Sequence, residues 1–257
     1  MGAEPGLLVL TPQYTSTGAL LAQAAAGRGL AVEQLPPSRT VPDRLRELRP
    51  AHLYGGPLFA AAVAPQLGVT LLEPAADWLL SLPRRFTGRT IRELPLSTAR
   101  ELPHAFFAKP PVDKTFAADV YPDGQALPDH LPAGTPVQVS EIVTFAAEFR
   151  LFLLDGEIRT GSRYATYGRL DPAPLASCPE RAEVEGFVQE LLAAHGWTLP
   201  RACVLDVGRV LGRQGLEAQW AVVEANMAWF SHLYASDPER ALDVVLESAV
   251  PALDEHG

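Results

Sequence analysis

The stretch from Ile142 to Tyr164 constrains the fold more than any other part of the chain. An apolar run, IVTFAAEFRLFLL, ends in Asp155-Gly156, and a second run from Glu157 to Tyr164 follows at once. Asp-Gly adopts positive φ at two successive positions with little strain, which closes the right-twisted turn of a two-residue β-hairpin. The segment therefore predicts a long antiparallel ribbon. Residues 179 to 195 read as an amphipathic helix that packs on a sheet, with Pro179 near its first turn and Gly196 after it. Val184, Phe187, Val188, Leu191 and Leu192 recur at helical spacing. Val204 to Val210 and Trp220 to Ala225 read as antiparallel strands joined by the glycine-rich turn Gly212 to Gly215. Asp237-Pro238 supplies the N-cap and first residue of a final helix reaching about Ser248.

The earlier half has a different rhythm. LLVLT at 7–11 and the Ala/Leu-rich stretch Ser16 to Arg28, stopped by Gly29, form a strand–helix unit. The alternation recurs as Ala31 to Leu35, Pro42 to Leu48, His52 to Tyr54, Pro57 to Leu67 and Val69 to Leu72, and predicts a small parallel α/β domain over residues 1–95. Gly55-Gly56 reads as a turn. From Trp78 to Pro103 periodicity weakens and Arg84, Arg85, Arg89, Arg92 and Arg100 gather; this reads as a connecting segment, either solvated or ligand-binding. Ala105 to Lys109, Thr115 to Tyr121 and Val137 to Val139 follow as strands.

With 257 residues, 47% of them hydrophobic, the chain can bury a substantial core. A net charge of −9 removes any overall electrostatic reason to bind nucleic acid. Two cysteines, Cys178 and Cys203, make neither a zinc site nor a disulfide framework and read as ordinary thiols. Leu7 to Leu10 is too short for a signal peptide or a membrane span, so a cytoplasmic protein with no membrane partner is expected.

The chemistry lies in charges placed inside apolar strands. Lys109 ends HAFFAKP, Glu148 and Arg150 alternate in AAEFRLF, Asp206 sits in VLDVG, and Glu224 and Asn226 sit in VVEAN. Side chains alternate across a strand, so Glu148 and Arg150 share a face, as do Glu224 and Asn226. Asp206, Glu224 and Asn226 together form a set of hard oxygen donors suited to Mg²⁺, with lysine and arginine to hold phosphates. No convincing Ser-His-Asp or Cys-His arrangement competes with this set.

In this order the motifs resemble the ATP-grasp superfamily across roughly residues 105 to 240. The finer pattern FAKPPVDKTF, EFRLF, SRY, DVG and VEANMAW is similar to a divergent bacterial clade related to the eukaryotic cell-division-cycle ATP-grasp protein that assists initiation-factor assembly. The resemblance implies an ATP-grasp fold of mixed α/β and α+β class: the N-terminal α/β domain, a small lobe at 96–140 and a C-terminal lobe at 141–257, the two lobes clasping ATP. It implies that Lys109 contacts the nucleotide phosphates, with Lys114 the one cation left to cover them, because no glycine-rich loop follows Lys109. Within VQVSEIVTFAAEF, Glu141 and Ile142 would border the adenine pocket and Glu148 would meet the ribose. Asp206, Glu224 and Asn226 would be the metal ligands. Relatives that form peptides often carry an arginine where this chain has Val204, a role that Arg150 or Arg163 is expected to fill. Met227 replaces an acidic residue common after the asparagine.

The implied activity joins a carboxylate to an amine through an acyl phosphate, using ATP and Mg²⁺; the substrates are small molecules, peptides or proteins. A phosphotransferase and a non-catalytic nucleotide-binding assembly factor are the alternatives. His232 could act near the acceptor amine but reads as structural; Trp229, Phe230 and Tyr234 either line an apolar acceptor pocket or pack the final helix, and packing is the preferred reading.

Overall fold

Apolar strands alternate with helices at the start of the computed structural model, which describes residues 6–11, 16–111, 115–212 and 218–252. In order come β1 (Leu7–Leu10), α1 (Ser16–Gly27), β2 (Ala31–Gln34), α2 (Asp43–Arg46), β3 (Ala51–Tyr54), α3 (Pro57–Leu67) and β4 (Val69–Leu71). β1 lies between β2 and β3 and runs parallel to both. Both of its faces are covered, so Leu7, Leu8 and Val9 are fully buried. Gly55 and Gly56 form the expected turn into α3; a Cβ on Gly55 would lie 2.5 Å from the Phe59 ring. β4 departs from the expected parallel sheet. It pairs antiparallel with Ala249–Pro251, far along the chain.

The basic segment that follows is more than a connection. α4 (Trp78–Ser81) and α5 (Arg84–Thr87) drive Trp78, Leu79, Leu82 and Phe86 into the core of the main sheet, while Arg84 and Arg85 stay exposed. β5 (Ile91–Pro95), α6 (Leu96–Ala99), β6 (Phe106–Lys109), β7 (Asp119–Tyr121) and β8 (Pro136–Ser140) come next. Their strands form an antiparallel sheet in the order β5-β8-β6-β7. Residues 91–95, grouped by sequence with the N-terminal domain, thus hydrogen-bond to the small-lobe sheet. Phe106, Ala108, Val137 and Val139 pack on Leu96 and Ala99. Alternation turns Lys109 to the opposite face.

The large lobe comprises β9 (Phe145–Leu154), β10 (Glu157–Thr166), β11 (Arg169–Pro174), α7 (Arg181–His195), β12 (Ala202–Val210), β13 (Gln219–Asn226), α8 (Pro238–Leu246) and β14 (Ala249–Pro251). Its five-stranded sheet has the order β11-β10-β9-β12-β13. Asp155 and Gly156, at φ 51° and 78°, close the predicted hairpin. A second hairpin, turning at Tyr167 and Gly168 with φ 48° and 70°, adds the unforeseen β11. Its aromatic first position lacks the usual turn signature. α7 covers one face, setting Val184, Val188 and Leu191 against Phe149, Leu151, Val207 and Val222. On the other face α8, backed by α1, covers Phe152, Ala202 and Val204. Asp237 caps α8 as expected, its carboxylate accepting from the N–H groups of Glu239 and Arg240 at 2.9 and 3.1 Å. Lys114 and most of the 212–215 turn lie outside the described residues. No helix among the described residues is long and apolar enough to cross a membrane.

Candidate active site

Cross-strand pairing sets Ser162, Arg150, Asp206 and Glu224 in one row across β10, β9, β12 and β13. The adjacent row reads Thr160, Phe152, Val204 and Asn226. Both rows lie on the face that α7 does not cover. A bulge brings Glu224 into its row: Asp206 pairs with Glu224 but Val207 with Val222, which leaves Val223 as the extra residue. In a regular strand Glu224 would share the face of Val222 and enter the core beneath α7.

Arg150 and Asp206 form a two-point ion pair. Nε donates to Oδ1 at 2.9 Å and Nη2 to Oδ2 at 2.6 Å. Their side chains are only 11% and 1% exposed. Burial works against the Arg150 charge, and Asp206 more than offsets it, so the guanidinium is held above its ordinary range. Burial pushes the Asp206 carboxyl up to about 6 against the pull of Arg150, with Glu224 and Glu148 adding to the rise. The rings of Tyr164 and Tyr234 stack 5.1 Å apart, and the Arg150 Cζ lies 5.7 and 5.2 Å from their centroids. The Tyr164 hydroxyl donates to Glu148 at 2.8 Å. Burial raises Glu148 above the usual carboxylate range, opposed by that hydrogen bond and reinforced by Glu224.

The small lobe reaches the same cluster through Lys109, whose Nζ lies 3.5 Å from Glu224 Oε2. Asn226 Nδ2 lies 3.0 Å from Glu224 Oε1 and 3.4 Å from Asp206 Oδ2. A half-turn of that amide would offer Oδ1 to a cation instead. At the junction of the lobes the Glu141 carboxylate accepts from Arg84 Nη2 at 2.9 Å and from the Thr90 N–H at 2.9 Å. Ser140, Glu141 and Ile142 border a hollow of about 230 Å³ together with Phe106, His104 and Val139.

Over residues 86–244 the sequence matches the model of an ATP-grasp domain, the second family of its clade. The chain belongs to the ATP-grasp family. Its fold is similar to that of an ATP-grasp RimK domain protein from Sphaerobacter thermophilus, with a TM-score of 0.60 at 16% identity over 94% of this chain and 100% of that one. It is also similar to D-alanine–D-alanine ligase from Bacillus anthracis, with a TM-score of 0.56 at 12% identity over 95% and 97% of the two chains. The ATP-grasp ligase PsnB, complexed with a minimal precursor, gives 0.55 at 12% identity over 95% and 100%. At these identities the likeness is one of fold. No curated protein matches the chain.

On this ATP-grasp frame Lys109, Glu148, Arg150, Asp206, Glu224 and Asn226 converge, and Glu141 and Ile142 stand at the lobe junction. Arg163 does not join them. It pairs with Phe149 in the ladder, which turns it to the α7 face, and its Nη2 is held by Asp171 at 2.9 Å. One step along a strand inverts the face, so Arg163 anchors β11 and is not placed for catalysis.

The set proposed for magnesium also narrows. Glu224, with a side chain 39% exposed, and Asn226 have the donor chemistry a hard cation requires. Asp206 stands apart from them, with a side chain only 1% exposed and each oxygen accepting from Arg150. Among the described residues no three His, Cys, Asp or Glu side chains are placed to hold a metal.

Tyr164 and Tyr234 are the unforeseen members of the site. SRY placed Tyr164 on a strand without a role, and Tyr234 read as packing. Trp229 does pack: it is 2% exposed and donates to Leu72 O at 3.1 Å.

Proposed function

We propose that this protein is an ATP-dependent carboxylate–amine ligase that forms an amide through an acyl phosphate and releases ADP and phosphate. The observation that supports it best is the approach of Lys109 on the small lobe to Glu224 on the large lobe, beside the Arg150–Asp206 pair. Cation and carboxylate meet where the two lobes would grip a polyphosphate. Lys109 offsets phosphate charge, Glu148 accepts from the ribose hydroxyls, and Glu141 and Ile142 border the adenine. Glu224 and Asn226 would hold magnesium, which when bound neutralises charge on the phosphates. Asp206 fixes Arg150 in place, and the guanidinium N–H groups that Asp206 does not use are left for an anionic substrate or the acyl phosphate.

A substrate carboxylate oxygen attacks the γ-phosphorus and ADP departs; an amine nitrogen then attacks the acyl carbon, and phosphate leaves with the bonding electrons and takes up the proton that the nitrogen sheds. Relatives named for a peptide precursor and for D-alanine make amino acids, peptides and protein termini the first pairs to try. A cytoplasmic setting, where ATP is supplied, suits this chemistry.

The test is ADP release across a panel of carboxylates and amines, with mass analysis of the product. An amide formed with ADP supports the ligase, whereas a stable phosphorylated product makes the protein a phosphotransferase. In parallel, Lys109→Ala should weaken Mg-ATP binding in calorimetry. Unchanged affinity in a folded variant would place the nucleotide elsewhere.

A further inference from the structure

β13 is an edge strand, so the carbonyls on its outer side have no strand partner. Arg89, from the segment that leads into the small lobe, fills that gap. Its Nη1 donates to Val222 O at 2.9 Å and to Thr87 O at 2.9 Å, and its Nη2 donates to Val223 O at 3.3 Å. Successive carbonyls of a regular strand point to opposite sides and cannot both face one guanidinium. At the bulge they do, because Val223 is the extra residue. Gly88 lets the segment lie flush on the strand: it has φ +64°, and a Cβ there would sit 2.9 Å from that of Ala221.

Arg89 is only 8% exposed, and among the described residues no carboxylate lies within ion-pair distance of it. Burial lowers its pKa to about 10, partly countered by the charge of Glu224. The Phe145 ring lies 5.6 Å from its Cζ. Spending a buried cation on main-chain carbonyls is costly, and a neutral side chain would fill the volume more cheaply. The next residue, Thr90, donates its N–H to Glu141 at the lobe junction. One peptide step therefore ties the bulge to the junction.

The geometry points to Arg89 as a positioning residue that braces the Val223 bulge and so holds Glu224 and Asn226 toward the cleft. This rests on the reading of Glu224 and Asn226 as the cation-binding pair. The segment that leads into the small lobe thus sets the aim of the strand that carries the site.

The decisive experiment compares the parent, Arg89→Met and Arg89→Lys by two measurements. Amide exchange over residues 219–226 without ligand should quicken in Arg89→Met by about tenfold or more. AMPPNP affinity, measured with and without Mg²⁺, should lose its magnesium-dependent gain in Arg89→Met while the magnesium-free affinity stays within about twofold. Arg89→Lys, which keeps the charge and part of the carbonyl contact, should recover part of both, and it decides the matter if the methionine variant fails to fold. Unchanged exchange, or faster exchange with the magnesium gain intact, overturns the proposal. A parent whose AMPPNP affinity ignores magnesium sinks the cation reading and the proposal with it, and is told apart because the failure is in the parent.

Discussion

Two neighbouring rows on one face of the large sheet meet opposite surroundings. Phe152 and Val204, paired across β9 and β12, are wholly buried beneath α8, which α1 backs. One row along, Arg150 and Asp206 are paired in the same register, but Lys109 and the stacked tyrosines approach in place of the helices. Strands and alternation are shared; the cover differs. Where helices bring apolar side chains the row becomes core, and where they stop short the charges must satisfy one another. The polar row itself divides. Asp206 is sealed and committed to Arg150, whereas Glu224 is part-open and available to a ligand.

The covered row should break most expensively. Phe152→Ala is expected to cost about 3–5 kcal/mol in urea unfolding, through lost burial and a residual cavity, with AMPPNP affinity within about twofold of the parent. A cost below about 1 kcal/mol would mean that α8 does not pack on this row. Asp206→Asn comes next, at about 3 kcal/mol, because it leaves a buried guanidinium without its counter-charge. A metal ligand would behave otherwise: its loss would leave ligand-free stability unchanged or raised, so the melting point of the unliganded variant separates the two roles.

Glu224→Gln should shift ligand-free stability by less than about 1 kcal/mol. It should nonetheless abolish the rise in melting temperature that Mg-ATP gives the parent. A variant that melts many degrees lower yet keeps that rise would make Glu224 structural, like Asp206. The smallest effect returns to the covered half through His52, whose Nδ1 lies 2.6 Å from Leu246 O in α8. Burial lowers its pKa, against the Leu246 carbonyl and Glu247. The unfolded chain then binds the proton more readily, so stability is full above about pH 6.5 and falls as the pH drops toward the folded value. Between pH 7 and 5.5 the parent should lose up to about 1 kcal/mol more than His52→Gln.

The alternation of AAEFRLF and VLDVG made the shared face legible, and Asp155-Gly156 fixed the ribbon. Neither could disclose which rows a distant helix would cover. The position of Arg163 was missed because the Ile158/Thr160 irregularity in β10, which pairs Arg163 with Phe149 where a regular ribbon would pair it with Glu148, leaves no local signature, and neither does the Tyr167-Gly168 hairpin. Arg89 stood in a run of arginines that read as solvated or ligand-binding, and the bulge in β13, more than a hundred residues away, gives it two of its three carbonyl partners. Asp206 carried the right residue type for a metal ligand. Its commitment to Arg150 depends on register between strands that are far apart in sequence.

The pairing of Val69–Leu71 with Ala249–Pro251 bears on the order in which the molecule is made. A ribosome completes the first strands and helices long before residues 249–251 exist. Until they emerge, β4 carries an unpaired edge of the kind that recruits other chains. Closure of β4 therefore waits on a segment far along the chain, and the growing polypeptide must keep that edge shielded until the segment arrives.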